Sequence, residues 1–367
     1  MTVGGHLKID AVQRYLGGTL SENERAALHR HLEGCDECRA LLLAASSLVT
    51  RSPPGGRQQT VDLPTIPEEH YLIEREIARG GLGKILSARH LPLDRVVAVK
   101  EMLAAADPLQ QQRFVHEALV TAGLQHPSIV PVHEAGRWPS GEPFYAMKLV
   151  VGPSLQHVLE GANSLDARLA LLPRLIAVGE ALAYAHARGV IHRDIKPGNI
   201  LCGEFGETVL IDWGLAKRVD DTDSLRGGEP QLSSFQTAEG TVVGTPRYMS
   251  PEQAVGQPAD ERSDVYSLGV VLYEMLTGAS PYADPVLGLV AIGFNELSRA
   301  IAEGRVVPAR EHEPDAPRDL TAIAERALAL DPAQRYPSAK AFVDDLQRFT
   351  TGQLISRRYT SGELARR

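Results

Sequence analysis

Cysteine is scarce in this chain, long apolar runs are absent, and positive charge is outweighed by negative. Three cysteines among 367 residues exclude a disulfide-stapled scaffold. With Cys35 and Cys38 set as Cys-x-x-Cys, a reducing, cytoplasmic setting is expected. No apolar stretch reaches the roughly 18 residues a membrane helix needs, and the start lacks a signal peptide's basic-then-apolar layout, so no membrane span is expected. A net charge of −8 argues against broad nucleic-acid binding. What remains is an ordinary soluble composition, 43% apolar and 23% charged, long enough for two or three domains.

The densest run of reactive side chains is His192-Arg193-Asp194-Ile195-Lys196-Pro197-Gly198-Asn199-Ile200. Moving a phosphoryl group from a nucleotide to a hydroxyl takes a carboxylate to orient the hydroxyl and accept its proton. It also takes a cation near the transferred group and oxygen ligands for magnesium. Asp194, Lys196 and Asn199 can fill those three roles from one short loop. The motif resembles the catalytic loop of protein kinases, which implies Asp194 as base, Lys196 as cation and Asn199 as metal ligand.

Other stretches resemble further motifs of that family, in order. Ala78-Arg79-Gly80-Gly81-Leu82-Gly83-Lys84-Ile85 resembles the phosphate-covering loop, with Ala78 where the family's first glycine stands. Val97-Ala98-Val99-Lys100 reads as a strand ending in a phosphate-binding lysine, and Glu117, on a helical stretch from Leu109 to Leu124, matches its glutamate partner. Phe144 to Val150 reads as a strand entering the connection between lobes, with Met147 at the back of the adenine pocket and Lys148 where glutamate is common. Leu165 to Arg188 has helical periodicity and delivers the chain to the catalytic loop. Asp212-Trp213-Gly214 resembles Asp-Phe-Gly, with Asp212 as a second magnesium ligand. Gly244 to Glu252 resembles the substrate-side loop and its anchor, while Asp264 and Arg335 match a structural aspartate and the arginine that pairs with Glu252.

The resemblance implies a catalytic set of Asp194, Lys196, Lys100 and Glu117. It implies a nucleotide surrounded by Gly80, Gly81, Gly83, Ile85, Ala98, Lys100, Met147, Leu149, Asn199, Leu201 and Asp212. ATP, magnesium (or manganese) and protein substrates follow from it. In the family, an arginine directly before the catalytic aspartate, here Arg193, marks control by a phosphate on the activation segment, and Thr237 and Thr241 stand where such phosphates cluster.

The first fifty residues have a separate character. Ser21-x-x-Glu24 looks like a capping box, and Leu7 to Leu48 read as two or three short helices. His31, Cys35 and Cys38 are spaced to face one point, and an imidazole with two thiolates makes most of a tetrahedral zinc site. His6 and His29 are the upstream candidates for a fourth ligand; His29, two residues from His31, points to another face, which favours His6. The segment resembles the zinc-binding domain of bacterial anti-sigma factors, in which the first ligand lies where His6 falls, and this implies contact with a partner protein.

The expected organisation is therefore a zinc-binding helical domain over residues 1–50, a Pro/Gly-rich linker over 51–69, an α+β two-lobed kinase fold over 70–350 and a basic tail over 351–367. Lys196 and Thr245 favour a bacterial-type serine/threonine protein kinase. The alternatives are a pseudokinase or scaffold regulated through the zinc domain, and a small-molecule phosphotransferase. The first conflicts with the full set of Lys100, Glu117, Asp194, Asn199 and Asp212, the second with Lys196 and the Gly244–Glu252 anchor. Metal analysis of the isolated segment 1–50 is expected to give one zinc per chain, and chelation to abolish its helical circular dichroism, because ligand binding supplies the folding free energy of so small a domain. A metal-free segment that keeps its helical signal would make the cysteines mere packing residues.

Overall fold

The computed structural model describes residues 2–3, 6–7, 31, 35, 63–80, 83–103, 108–218, 246–283 and 294–353. The chain divides into two compact units, Met1–Asp62 and Leu63–Arg367. In the first, Thr2–Val3 and His6–Leu7 are short strands paired antiparallel, so Leu7 is extended rather than helical as expected. His31 is helical, whereas Cys35 lies in no regular element. The rest of the expected helical domain, Cys38 included, falls outside the described residues.

The second unit opens with a five-stranded antiparallel sheet: β1 (Tyr71–Arg79), β2 (Gly83–His90), β3 (Arg95–Met102), β4 (Val132–Arg137) and β5 (Pro143–Lys148), in the order β1-β2-β3-β5-β4. Alternation along β3 divides its side chains between two faces. Val97 and Val99 join Tyr71, Trp138, Phe144 and Ala146 in one buried cluster. Ala98 and Met102 join Phe114, Ala118, Tyr145 and Met147 in the other, beneath α1 (Pro108–Ala122).

The helical lobe is built on α2 (Leu155–Gly161), α3 (Leu165–Leu169), α4 (Leu172–His186), α5 (Pro251–Ala254), α6 (Glu261–Thr277), α7 (Phe294–Ala302), α8 (Ala309–His312), α9 (Arg318–Ala327) and α10 (Ala339–Thr350). The stretch of helical periodicity from Leu165 forms two helices. Ser164 caps α3, and Pro173, which has no N–H to donate, stands in the first turn of α4. Within Leu165–His186 an 18-residue window reaches a mean hydropathy of 1.2. Its apolar residues Leu175, Val178, Leu182 and Ala185 are fully buried in the lobe, where α4 packs on α6 and α10, which accounts for that hydropathy. Every residue of α6 from Ser263 to Leu276 is buried, including the carboxylates of Asp264 and Glu274. The short strands β6 (Val190–Ile191), β7 (Ile200–Cys202), β8 (Thr208–Leu210) and β9 (Lys217–Arg218) lie on the side of the lobe that faces the sheet, with β7 paired to β8 and β6 to β9.

One sealed ion pair closes the lower half of this lobe. Arg335 donates two parallel hydrogen bonds of 2.8 Å to the Glu252 carboxylate, and Ser263 Oγ adds a third at 2.6 Å. Burial pushes the Glu252 carboxyl up, but the bonds from Arg335 and Ser263 outweigh it and hold it below its ordinary value. Its stabilising contribution is therefore present above the ordinary carboxylate range and is lost as pH falls through the lowered value. Arg335→Met would leave a buried, uncompensated carboxylate, and urea unfolding at neutral pH is expected to show a loss of about 3–5 kcal/mol. A loss below about 1 kcal/mol, the range of exposed pairs, would refute it.

Candidate active site

The loop His192–Ile200 leaves β6 and turns through a short helical segment, Pro197–Asn199, into β7. Asp264 fixes its start: one carboxylate oxygen accepts the Arg193 N–H at 2.8 Å, the other accepts the His192 N–H at 2.9 Å and lies 2.8 Å from His186 Nε2. Burial pushes the Asp264 carboxyl up, yet the hydrogen bonds from His186 and from the His192 backbone leave it lowered, so it stays charged. These bonds hold Arg193 at φ 68, a left-handed conformation that costs a non-glycine residue about 1–2 kcal/mol. Gln253 Nε2 donates to the Arg193 carbonyl at 2.9 Å from the other side. His192 Nδ1 accepts the Asp194 N–H at 3.3 Å while Nε2 faces the Ile211 carbonyl, also at 3.3 Å, which is the pattern of a neutral imidazole. Burial lowers its pKa in the same sense.

The three expected catalytic-loop residues come together. Lys196 Nζ donates to Asp194 Oδ2 at 2.7 Å, and Asn199 Nδ2 donates to the same oxygen at 3.1 Å and to the Asp194 carbonyl at 2.9 Å. Across the cleft Lys100 Nζ lies 2.5 Å from Glu117 Oε1 and 3.8 Å from Asp212 Oδ1. Burial alone would push the Lys100 amine down; the Glu117 and Asp212 carboxylates reverse that and raise it. For Asp212 burial raises the carboxyl, and the Lys100 and Lys196 cations overturn this and lower it. The cleft therefore holds ionised Lys100 and Asp212 facing one another. Asp212 and Asn199 offer oxygens there that fit a hard divalent cation.

Of the residues expected around the base of a nucleotide, Ile85, Ala98, Met147, Leu149 and Leu201 share one apolar cluster with Val130, Val150 and Ile211. Gly80 N–H donates to the Gly83 carbonyl at 2.8 Å, and a Cβ on Gly83 would stand 2.5 Å from the Glu101 carbonyl, so only glycine fits where β2 begins. Gly81, Thr237, Thr241 and Thr245 lie outside the described residues. Arg193 Nε donates to the Leu215 carbonyl at 2.8 Å. Trp213 is fully buried, 4.6 Å from the His192 ring.

Two contacts were not foreseen. Tyr145 OH donates to Glu117 Oε1 at 2.6 Å, giving that carboxylate a second anchor. The i, i+2 alternation that puts Met147 on the cleft face would also have put Tyr145 there. Lys148, whose departure from the family pattern had no explanation, lies 3.6 Å from Glu207 of the β7–β8 hairpin.

The family model for a protein kinase domain matches residues 71–346. The chain belongs to the protein kinase family. A zinc-finger family model matches residues 9–39, which takes in His31, Cys35 and Cys38 and leaves His6 outside. Among similar kinases, the chain is 34% identical over 315 residues to "Serine/threonine-protein kinase PknD" of Protochlamydia amoebophila, covering 81% of this chain and 31% of that protein. It is 38% identical over 291 residues to PknB of Mycolicibacterium smegmatis, covering 78% and 44%. It is 37% identical over 289 residues to PknA of Mycobacterium tuberculosis, covering 77% and 62%. The chain thus spans about a third of the length of the first of these relatives.

The zinc-finger match implies zinc, and one observation suits it: His31 Nε2 is buried with no hydrogen-bond partner, as suits a nitrogen kept free for a metal ion. Among the described residues no three His, Cys, Asp or Glu side chains converge on a point, since Cys38 and His29 are not among them.

In this chain Asp264→Asn would keep one acceptor oxygen for two loop N–H groups. The buried, unpaired donor is expected to cost about 1–3 kcal/mol in urea unfolding. The parent's stability should also fall more steeply than the variant's as pH drops through the lowered carboxyl value, because only the parent has that group to protonate. Equal stability with parallel acid limbs would refute the role given to Asp264.

Proposed function

We propose that this chain transfers the γ-phosphoryl group of ATP to serine or threonine hydroxyls of proteins, its own activation segment included. The observation that carries the reading is that the Asp194–Lys196–Asn199 cluster and the Lys100–Glu117–Asp212 cluster adjoin at Asp212, whose carboxyl is held down by Lys100 from one and Lys196 from the other. The formed Lys100–Glu117 pair also weighs against a scaffold that only binds.

Asp194 orients the substrate hydroxyl and takes its proton as the oxygen–phosphorus bond forms and the bond to the β-phosphate oxygen breaks. Lys196, bonded to the same carboxylate, lies where it can steady the transferred group. Lys100, held by Glu117 and Tyr145, binds the α- and β-phosphates. Asn199 and Asp212 would hold magnesium, which when bound neutralises charge on the β- and γ-phosphates. Ala98, Met147 and Leu149 receive the base.

His31, Cys35 and Cys38, with His6 as the fourth ligand, would hold a structural zinc in a domain that meets a partner protein. The scarcity of cysteine and the Cys-x-x-Cys pair support a cytoplasmic location.

The test is incubation with magnesium and labelled ATP, with mapping of the labelled residues. The parent is expected to label itself within residues 215–249, at Thr237 or Thr241, and to label a generic basic protein. Asp194→Asn should still bind nucleotide while turnover falls by about 10²–10⁴-fold. Transfer at the parent's rate by Asp194→Asn, or label confined to small molecules, would overturn the proposal.

A further inference from the structure

Each rung of the sheet beside the nucleotide cleft has a reverse side. Ile85, Lys100 and Tyr145 are register partners across β2, β3 and β5, and one residue away Lys84, Glu101 and Phe144 form the next rung. Side chains alternate along a strand, so this second rung faces away from the cleft. It is bonded from end to end. Lys84 Nζ lies 2.8 Å from Glu101 Oε1, Trp138 Nε1 donates to Glu101 Oε2 at 3.2 Å, and the Trp138 ring stacks on Phe144 at 3.7 Å with 6° between planes.

What covers that stack is the chain just ahead of β1. Ile66 N–H donates to the Arg137 carbonyl and Arg137 N–H to the Pro64 carbonyl, both at 2.9 Å, so the segment pairs in parallel with the edge of β4. Leu63 is buried and Ile66 packs on the Tyr71, Trp138 and Phe144 cluster. The approach depends on Gly136: a Cβ there would stand 2.5 Å from Ile66 Cγ1, 3.0 Å from the Pro64 carbonyl oxygen and 3.2 Å from Phe144 Cε1.

We propose that Leu63–Ile66 is a strap that positions the phosphate-covering loop from behind, through Trp138, Glu101 and Lys84, so that phosphate binding depends on a segment ahead of the first catalytic strand. Lys84 directly follows Gly83 at the start of β2, and Glu101 directly follows Lys100, so fixing the outer rung fixes the two backbone positions that address the phosphates. These are positioning residues, and the strap is the end of the linker that leads from the zinc-finger region. Whatever draws it off β4 lowers the grip on nucleotide phosphates.

The inference rests on the kinase reading above, and the test separates the two. Binding of magnesium-ATP and of adenosine, which has no phosphates, is measured by calorimetry on the full chain for the parent, Ile66→Ala, Glu101→Gln and the double variant. Each single variant is expected to weaken ATP about threefold, the size of one part-exposed ion pair, and the double variant no further, because both cut the same line. Adenosine affinity should stay at the parent's value, and Ile66→Val, which keeps the contact on the stack, should keep the parent's ATP affinity. ATP affinity unchanged in the single variants, equal loss of ATP and adenosine, or independent multiplication in the double variant would each overturn the strap while leaving the kinase reading intact. A parent that binds no ATP would remove both. Should Ile66→Ala fail to fold, Glu101→Gln and the part-exposed Lys84→Gln carry the same comparison, and unchanged ATP binding in both overturns it.

Discussion

A carboxylate sealed from solvent in the middle of the helical lobe holds the backbone of the catalytic loop by its two oxygens. Asp264 is tolerable there because each of its two oxygens has a donor, from two backbone N–H groups and one imidazole in all. In return it keeps Arg193 in a left-handed conformation that the residue would not hold alone. That turn aims Asp194, Lys196 and Asn199 toward the cleft. The loop's chemistry is thus prepared from beneath, by a group that never meets substrate.

The charged pairs of this molecule fall into two kinds with different consequences. Arg335 and Glu252 are shut away from water, fully hydrogen-bonded, and act on stability. Lys100, Asp194 and Lys196 keep about a fifth of their side-chain surface open to the cleft, and Asp212 more, which leaves them able to exchange one another for phosphate oxygens and a cation. A pair that must release its partner during turnover cannot be sealed, since the desolvated charge left behind would cost too much.

The sheet applies the same separation through geometry. Its inner face carries Ile85, Ala98, Lys100 and Tyr145, and its outer face carries Lys84, Glu101, Trp138 and Phe144. Because successive residues point to opposite faces, support can be placed one residue from function without entering the cleft. Lys148 belongs to the same logic at the hinge. Its charge, unexplained in the strand pattern, is answered by Glu207 of a hairpin in the other lobe.

Short-range constraints were readable in the amino-acid order. The spacing from Asp194 to Asn199 is spanned by one loop, Val97 to Lys100 alternates like a strand, and Gly83 of the covering loop stands where a close approach requires it. The residues named for the cleft meet because each motif is local and the family order fixes where each one goes. Helical periodicity runs on from Leu165 to Arg188 in the sequence, while the Ser164 cap and Pro173, which divide the stretch locally into α3 and α4, do not disturb that pattern. Tyr145 on Glu117, Gln253 on the Arg193 carbonyl and Ile66 over Gly136 join positions 28, 60 and 70 residues apart. No sequence period encodes such pairings. They depend on the curvature of the sheet and on which strand forms its edge, and these are set only when the whole chain has closed on its core.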